Sequence, residues 1–287
     1  MMADDTQPLP GVALKPRTWI LPCRRVSWLA AVACGAVQAQ TGLLPTNPAG
    51  IDWQRIEAPG GPFSIARTET TVAQFARYVH ATQAVTLAER RGGGQVYESG
   101  WTHKPGWTWR TPFGGSQVAA GQEPAVHVGY HEAQAFCRWA GGQLPTDAQW
   151  LEAAYTERRA APPAPWVVGR TYPFPTGGSS QGAQCLDDCG PAAKARGIAH
   201  GARLWRGHGH AAAGSTPAGV NGLHEMGGNV WEWVDEPAGA DGNAERRTRG
   251  GSWWYGAAQM RADHIQGKPA DTAVVYIGFR CARDYVR

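Results

Sequence analysis

The stretch RGGSWWYGAAQMRADH, Arg249 to His264, is laid out like the wall of a site. A Gly-Gly turn opens into Ser252, Trp253, Trp254 and Tyr255, and a basic segment ending in His264 follows. Hydroxyl, phenol and imidazole groups can exchange protons, but the stretch holds neither Cys nor Glu, so a thiolate nucleophile is missing from it. Upstream, HEMGGNVWEW sets Glu225 and Glu232 on either side of Gly227-Gly228. A tight Gly-Gly turn points carbonyls inward, and carboxylates beside it supply hard oxygen ligands suited to Ca2+; the alternative is a pair of solvated carboxylates with Asn229 in a turn. His208-Gly209-His210 offers two imidazoles to a metal, with His224 or His264 as a third, or is an ordinary Gly-rich loop. His103, among Trp101, Trp107 and Trp109, has the setting of a ligand contact, with loop core as the alternative.

The chain has 287 residues and 43% hydrophobic composition, enough for an ordinary core. Its N-terminus reads as a secretory signal over residues 1–39: Arg24 and Arg25 precede a short apolar run, Val26 to Val37, and Val37-Gln38-Ala39 has the small-residue cleavage pattern. The run is too short to cross ~30 Å of hydrocarbon, so cleavage after Ala39 and a periplasmic or secreted location are expected, with no stable membrane span. Lipoprotein processing at Cys34 and twin-arginine export are the two alternatives. Loss of residues 1–39 removes Lys15, Arg17, Arg24 and Arg25 against Asp4 and Asp5, so the formal +4 falls to +2. No Lys/Arg stripe remains to follow phosphates, which excludes nucleic acid as the expected partner.

Cys137, Cys185, Cys189 and Cys281 then remain, an even number that suggests two disulfides in an oxidising compartment. Cys185 and Cys189 are placed to close a local loop, which would leave Cys137 for Cys281. Four buried thiols is the other reading, and a metal site would need further ligands near Cys185.

Positioning elements are few. After a Pro/Gly linker over residues 40–50, PFSIARTETTVAQFARYVHAT reads as a strand and then a helix opened by a Thr71/Gln74 capping box. HEAQAFCRWAG is a second helix stopped by Gly141-Gly142, and TDAQWLEAAYT a third with a Thr146/Gln149 box. RRGGGQVYESGWTHKPGWTWRTPFGG and Ala160 to Pro217 read as ordered loops, which need disulfides, metals or aromatic anchors to hold them. No internal repeat or domain boundary breaks residues 51–287.

The ordered motifs VGYHEAQAFCRWAGGQLPTDAQW, NGLHEMGGNVWEWVDE, RGGSWW and IGFRCAR resemble the formylglycine-generating enzyme, or sulfatase-modifying factor, superfamily from about Ile51 to Arg283. The resemblance implies an α+β fold related to C-type lectins, low in regular structure, with a kinked antiparallel sheet and a few helices. It implies a Cys137–Cys281 disulfide, and CLDDC looks like a short Cys–Cys loop of bacterial members. It also implies a structural calcium held by the side chains of Glu225 and Glu232 and the carbonyls of Gly228 and Val230, although Glu225 stands where Asn or Asp is usual.

Family members that generate formylglycine carry two copper-binding cysteines five residues apart after the Gly-Gly-Ser. Those positions here are Tyr255 and Met260. A phenol is a poor ligand at neutral pH and a thioether a weak one, so copper is not the expected cofactor and any other redox metal is left open. Ser252 and Trp231, which line that site in the family, are retained. The iron-binding His-x3-His-x-Glu motif of the ergothioneine-pathway members is absent from this sequence, whereas the signal peptide and single-domain layout are similar to the periplasmic pyoverdine-maturation type.

The expected function is a modifying enzyme, oxidative or maturing, that acts on a peptide or peptide-derived small molecule. Ser252, Trp231 and Tyr255 are its candidate catalytic residues, the phenol serving as an acid/base or radical-capable group, and His103, Trp107 and Trp109 are candidate ligand contacts. A lectin-like binding module and formylglycine generation are the alternatives; Tyr255 and Met260 argue against the latter.

Overall fold

The computed structural model describes residues 47–198, 209–237 and 245–284. Two compact units divide the chain, residues 1–42 and 43–287, and every described residue belongs to the second. The export segment with Cys34 and Ala39, and His208, lie outside the described residues.

Strand β1 (Trp53–Ile56) pairs antiparallel with β2 (Phe63–Ala66), and the chain then enters helix α1 (Val72–Thr82), the expected strand and helix. Its start is fixed reciprocally: the Gln74 N–H donates to the Thr71 hydroxyl at 3.2 Å, and the Thr71 N–H donates to Gln74 Oε1 at 3.0 Å. Next come a single turn, α2 (Leu87–Arg90), and an antiparallel hairpin, β3 (Gly93–Tyr97) with β4 (Trp101–Pro105). The hairpin lies where the sequence reads as loop. Its glycines hide the alternation of Val96 and Tyr97 against Trp101 and Thr102, and Ser99-Gly100 makes the turn.

Helices α3 (Tyr130–Trp139) and α4 (Asp147–Tyr155) form where the periodicity puts them. Beyond α3, Gly142 is required by close approach, since a Cβ there would lie 2.4 Å from the Ala282 carbonyl oxygen. Between Ala160 and Pro217 the only helix among the described residues is the short α5 (Pro191–Arg196).

The central sheet has the order β7-β6-β5-β8. Strand β5 (Trp231–Pro237) runs antiparallel to β6 (Glu245–Arg249), which pairs antiparallel with β7 (Gln266–Pro269). On its other side β5 pairs parallel with the two-residue β8 (Ile277–Gly278). Strand β9 (Ala282–Asp284) returns to β2. The architecture is therefore α+β, with little regular structure and short, mostly antiparallel sheets.

The largest core cluster is aromatic. Phe75 of α1, Phe136 of α3 and Phe279 meet with ring centroids 5.3–6.3 Å apart, and the same cluster extends to Trp231, Trp233, Trp253 and Trp254. The Cys137–Cys281 disulfide crosses it and joins α3 to the segment before β9. It spans 144 residues of sequence, against 4 for Cys185–Cys189. On the chain-entropy account the first stabilises by about 5 kcal/mol and the second by about 2 kcal/mol. Both bridges match the expected pairing. A second cluster packs Trp150 and Tyr155 of α4 against Ile56, Phe63 and Leu223, and a third gathers Ala183, Cys185, Cys189, Ala257 and Met260. No helix among the described residues is long and apolar enough to cross a membrane.

Candidate functional site

Segment 249–264 is a strapped loop. Arg249, at the end of β6, clasps the Asp147 carboxylate with Nε at 2.6 Å and Nη2 at 2.7 Å. Its Nη1 donates to the carbonyls of Ala262 and His264, both at 2.8 Å, closing the loop across its base. Burial alone would raise the Asp147 carboxyl, but the Arg249 and Arg247 guanidiniums override it and hold it below the usual carboxylate range. Gly250 and Gly251 both have positive φ, 96° and 76°, which turns the chain where a side chain at residue 250 would meet the Met226 carbonyl.

That turn is laced to the GGNVW turn before β5: the Gly228 N–H donates to the Gly250 carbonyl and the Trp253 N–H to the Asn229 carbonyl, each at 2.8 Å. The two glycine motifs are thus a matched pair, and together they position the Trp231 indole. Trp231 is fully buried and its Nε1 has no hydrogen-bond partner. Tyr255, half-buried, meets it edge-on at 5.6 Å, and His264 stacks on it at 5.6 Å. Tyr276 closes the far side, edge-on to Tyr255 at 5.7 Å and stacked on Trp254 at 5.7 Å. Burial keeps the His264 imidazole below its ordinary pKa, so it is neutral at neutral pH.

Ser252 is fully buried in this frame, and its Oγ accepts from the Trp254 N–H at 3.3 Å. Ser252 and Tyr255 lie on the strapped loop with Tyr255 against Trp231, and Met260, five residues on, packs under the same two glycine turns, where a Cβ at Gly251 would lie 3.1 Å from its Cγ and one at Gly227 3.2 Å from its Sδ. Met260 is fully buried in the third cluster beside Cys185 and Cys189, and its carbonyl accepts from the Tyr155 hydroxyl at 2.6 Å. Tyr276 is a wall residue that the sequence reading did not assign, and His264, named there as a third imidazole for a metal, stacks on the Trp231 indole. The signal for His264 was its place at the end of the strapped segment; Tyr276 had none, because its role depends on β8 lying beside β5.

The other sequence candidates lie elsewhere. His103 is exposed on β4, whereas Trp107 and Trp109 are buried, Trp107 against Phe113 and His127 and Trp109 against Phe75. Trp109 and Arg110, whose guanidinium lies 4.0 Å above the indole, line a groove of about 690 Å³ with Val72, Ala76 and Thr111; His103 is not part of it. Another cavity, about 530 Å³, lies between the β1–β2 turn and α4. Neither is lined by Trp231, Ser252 or Tyr255. His210 is buried with Nε2 2.8 Å from Glu123, and His224 Nδ1 lies 2.8 Å from the Thr216 carbonyl. Among the described residues these histidines form no shared metal cluster; the cluster that exists is Cys185, Asp188 and Cys189.

The loop expected to hold calcium is built around internal partners. Glu225 accepts from the N–H groups of Gly214 and Thr216 and from the Thr216 hydroxyl, at 2.8, 3.0 and 2.7 Å. Glu232 takes the Arg280 guanidinium on both oxygens, each at 2.7 Å, and the Trp150 indole N–H at 2.8 Å. Glu69, missed in the sequence, accepts from Val230 N–H and Asn229 Nδ2. Burial, then the charges of Glu225 and Glu232, hold its carboxyl well above the usual range. Both carboxylates assigned to calcium already carry protein donors, and one guanidinium, Arg280, faces three buried carboxylates, Glu69, Glu225 and Glu232. A calcium ion held by the Glu225 and Glu232 side chains and the Gly228 and Val230 carbonyls would share those carboxylates with Thr216 and Arg280.

Comparison with known proteins agrees with this architecture. The family model described as "Sulfatase-modifying factor enzyme 1-like domain" matches residues 31–285. Formylglycine-generating enzyme of Streptomyces coelicolor is 29% identical over 271 residues, covering 78% of each chain. The mouse protein named inactive C-alpha-formylglycine-generating enzyme 2 is 29% identical over 96% of this chain and 92% of its own, and hercynine oxygenase of Mycolicibacterium smegmatis 27% identical over 85% and 64%. Among solved structures, PvdO of Pseudomonas aeruginosa superposes with a TM-score of 0.50 at 19% identity, covering 78% of this chain and 81% of that one. Variable protein 1 of Treponema denticola gives 0.51 at 14% identity, covering 78% and 85%. These two likenesses are of fold.

Proposed function

Because the chain belongs to the sulfatase-modifying factor enzyme 1-like family yet carries Tyr255 and Met260 where thiolates would bind copper, we propose that it is a modifying enzyme of a different chemistry. Its substrate is a peptide or peptide-derived small molecule, and its location is periplasmic or secreted. The carrying observation is the character of those two positions: Tyr255 faces Trp231 in the aromatic wall, and Met260 is fully buried beside Cys185 and Cys189 under the two glycine turns. Neither side chain is a thiolate: a phenol is a poor copper ligand at neutral pH and a thioether a weak one.

The wall instead offers a phenol and an imidazole, each packed on one buried indole. In this reading Tyr255 exchanges a proton with the substrate, Trp231 and Tyr276 fix the phenol's position, and Arg249 keeps the loop rigid. Apolar ring faces favour a substrate with aromatic or planar groups. No step runs through calcium. Relatives whose printed names describe different activities, formylglycine generation and hercynine oxygenation, support the idea that this fold hosts several chemistries.

A binding module is the second reading, favoured by an exposed aromatic pair on the β3–β4 hairpin: Tyr97 and Trp101 are 44% and 48% exposed and meet edge-on at 5.4 Å. A mass-spectrometric screen of peptides and peptide-derived small molecules under air separates the two. The enzyme reading expects a mass change in one class with the wild type and a loss of about a hundredfold or more in Tyr255→Phe. Equal turnover by that variant removes the phenol from the chemistry; retention without a mass change supports the module.

A further inference from the structure

Cys185, Asp188 and Cys189 do more than close a loop. One ligand atom from each lies within 4.8 Å of the others, and Cys185 Sγ is 3.3 Å from Asp188 Oδ1. The two sulfurs are buried and form a disulfide, whereas Asp188 is exposed at the mouth of the loop. The carboxylate belongs to the loop itself, as Asp188 of Cys-Leu-Asp-Asp-Cys, and the turn of that loop sets it beside the sulfurs.

The backbone around the three groups is held independently of the disulfide. The Gly182 N–H donates to the Cys189 carbonyl at 3.1 Å, the Ser180 hydroxyl to the Asp188 carbonyl at 2.7 Å and the Asn229 N–H to the Gln184 carbonyl at 2.7 Å. The Leu186 N–H donates to the Tyr255 carbonyl at 3.0 Å, and the Ala257 N–H to Asp188 Oδ1 at 2.8 Å. Opening the disulfide therefore leaves two thiols and a carboxylate gathered on one short loop. Two thiolates about 2.3 Å from a tetrahedral ion sit about 3.8 Å apart, a separation that side-chain rotation reaches without moving this backbone.

We propose that Cys185, Asp188 and Cys189 form a reduction-gated site for a thiophilic divalent cation of the zinc type. A dithiol reductant passes two electrons and two protons to the disulfide and itself closes to a disulfide. The cation then displaces the two thiol protons to solvent and binds two thiolates, the Asp188 carboxylate and water. In the reverse direction a disulfide oxidant accepts two electrons from the two thiolates and two protons from solvent to become a dithiol, Cys185–Cys189 closes, and the ion is released. The hydrogen bonds to Tyr255 and Ala257 couple the loop to the aromatic wall, so the metal-bound and disulfide states hold that wall through the same contacts. This site does not depend on the catalytic reading of Tyr255.

Titration of the full chain with Co2+ after phosphine reduction and removal of excess phosphine tests it. The reduced wild type should develop a thiolate-to-cobalt absorption band that saturates at one equivalent and is bleached by Zn2+. The oxidised wild type and C185S/C189S should show none. Asp188→Asn, which keeps both cysteines and the acceptor for Ala257, should weaken the ion by about tenfold or more. The proposal is overturned by absence of the band in the reduced wild type, by an equal band in C185S/C189S, or by unchanged affinity in Asp188→Asn.

Discussion

Single residues determine which chemistry this frame permits. Arg249 is buried and its charge is answered by Asp147, so deleting the carboxylate strands a guanidinium that also ties the site loop. Asp147→Asn should cost about 3 kcal/mol in urea unfolding, the penalty for removing one partner of a buried pair. A loss below 1 kcal/mol would mean that the strap is not a structural tie. His127 gives a pH signature. It is fully buried, its Nε2 2.9 Å from the Pro112 carbonyl, and burial lowers its pKa to about 4 from 6.5. The unfolded chain therefore binds the proton more tightly between those values. Stability should be full above pH 6.5 and fall as pH drops through about 4, by up to about 3 kcal/mol. Denaturant unfolding across that range checks it against His127→Asn, chosen because the residue has φ of 57° and Asn tolerates that region. The slope should flatten in the variant; an identical slope would assign the effect elsewhere.

At the scale of elements, the GGNVW turn and the strands around it are held by protein groups. Glu232 reaches from β5 to Arg280 and Trp150, while Glu225 caps the Gly214–Thr216 turn. With these oxygens satisfied internally, chelation by EDTA should move the melting temperature by less than about 1 °C, smaller than the shift from a 1 kcal/mol loss. A drop of several degrees, reversed by Ca2+ alone, would place calcium in the loop. The same elements show where sequence reading reaches its limit. Helices α1 and α4 were legible because Thr71/Gln74 and Thr146/Gln149 are local signals beside periodic apolar residues. The β3–β4 hairpin was not, because its glycines carry no side-chain alternation and its register is set by packing on a distant segment, as in the Gln95–Val274 bridge.

For the whole molecule, the order of motifs carried the family resemblance and with it the implied fold, while the spacing of Cys185 and Cys189 marked the local disulfide and left Cys137 for Cys281. The partners of individual groups were less legible. Arg280 on Glu232 and His264 on Trp231 join residues through tertiary approach, which no local spacing encodes. The central claim is that the paired glycine turns hold Tyr255 and Met260, and no thiolate, at the two positions that the family resemblance assigns to copper. The direct measurement is an assay of the copper-loaded protein on a Cys-x-Pro-x-Arg peptide under air, read by mass spectrometry and aldehyde labelling. The account predicts no conversion of the peptide cysteine and no thiolate-bound copper; formation of formylglycine would contradict it.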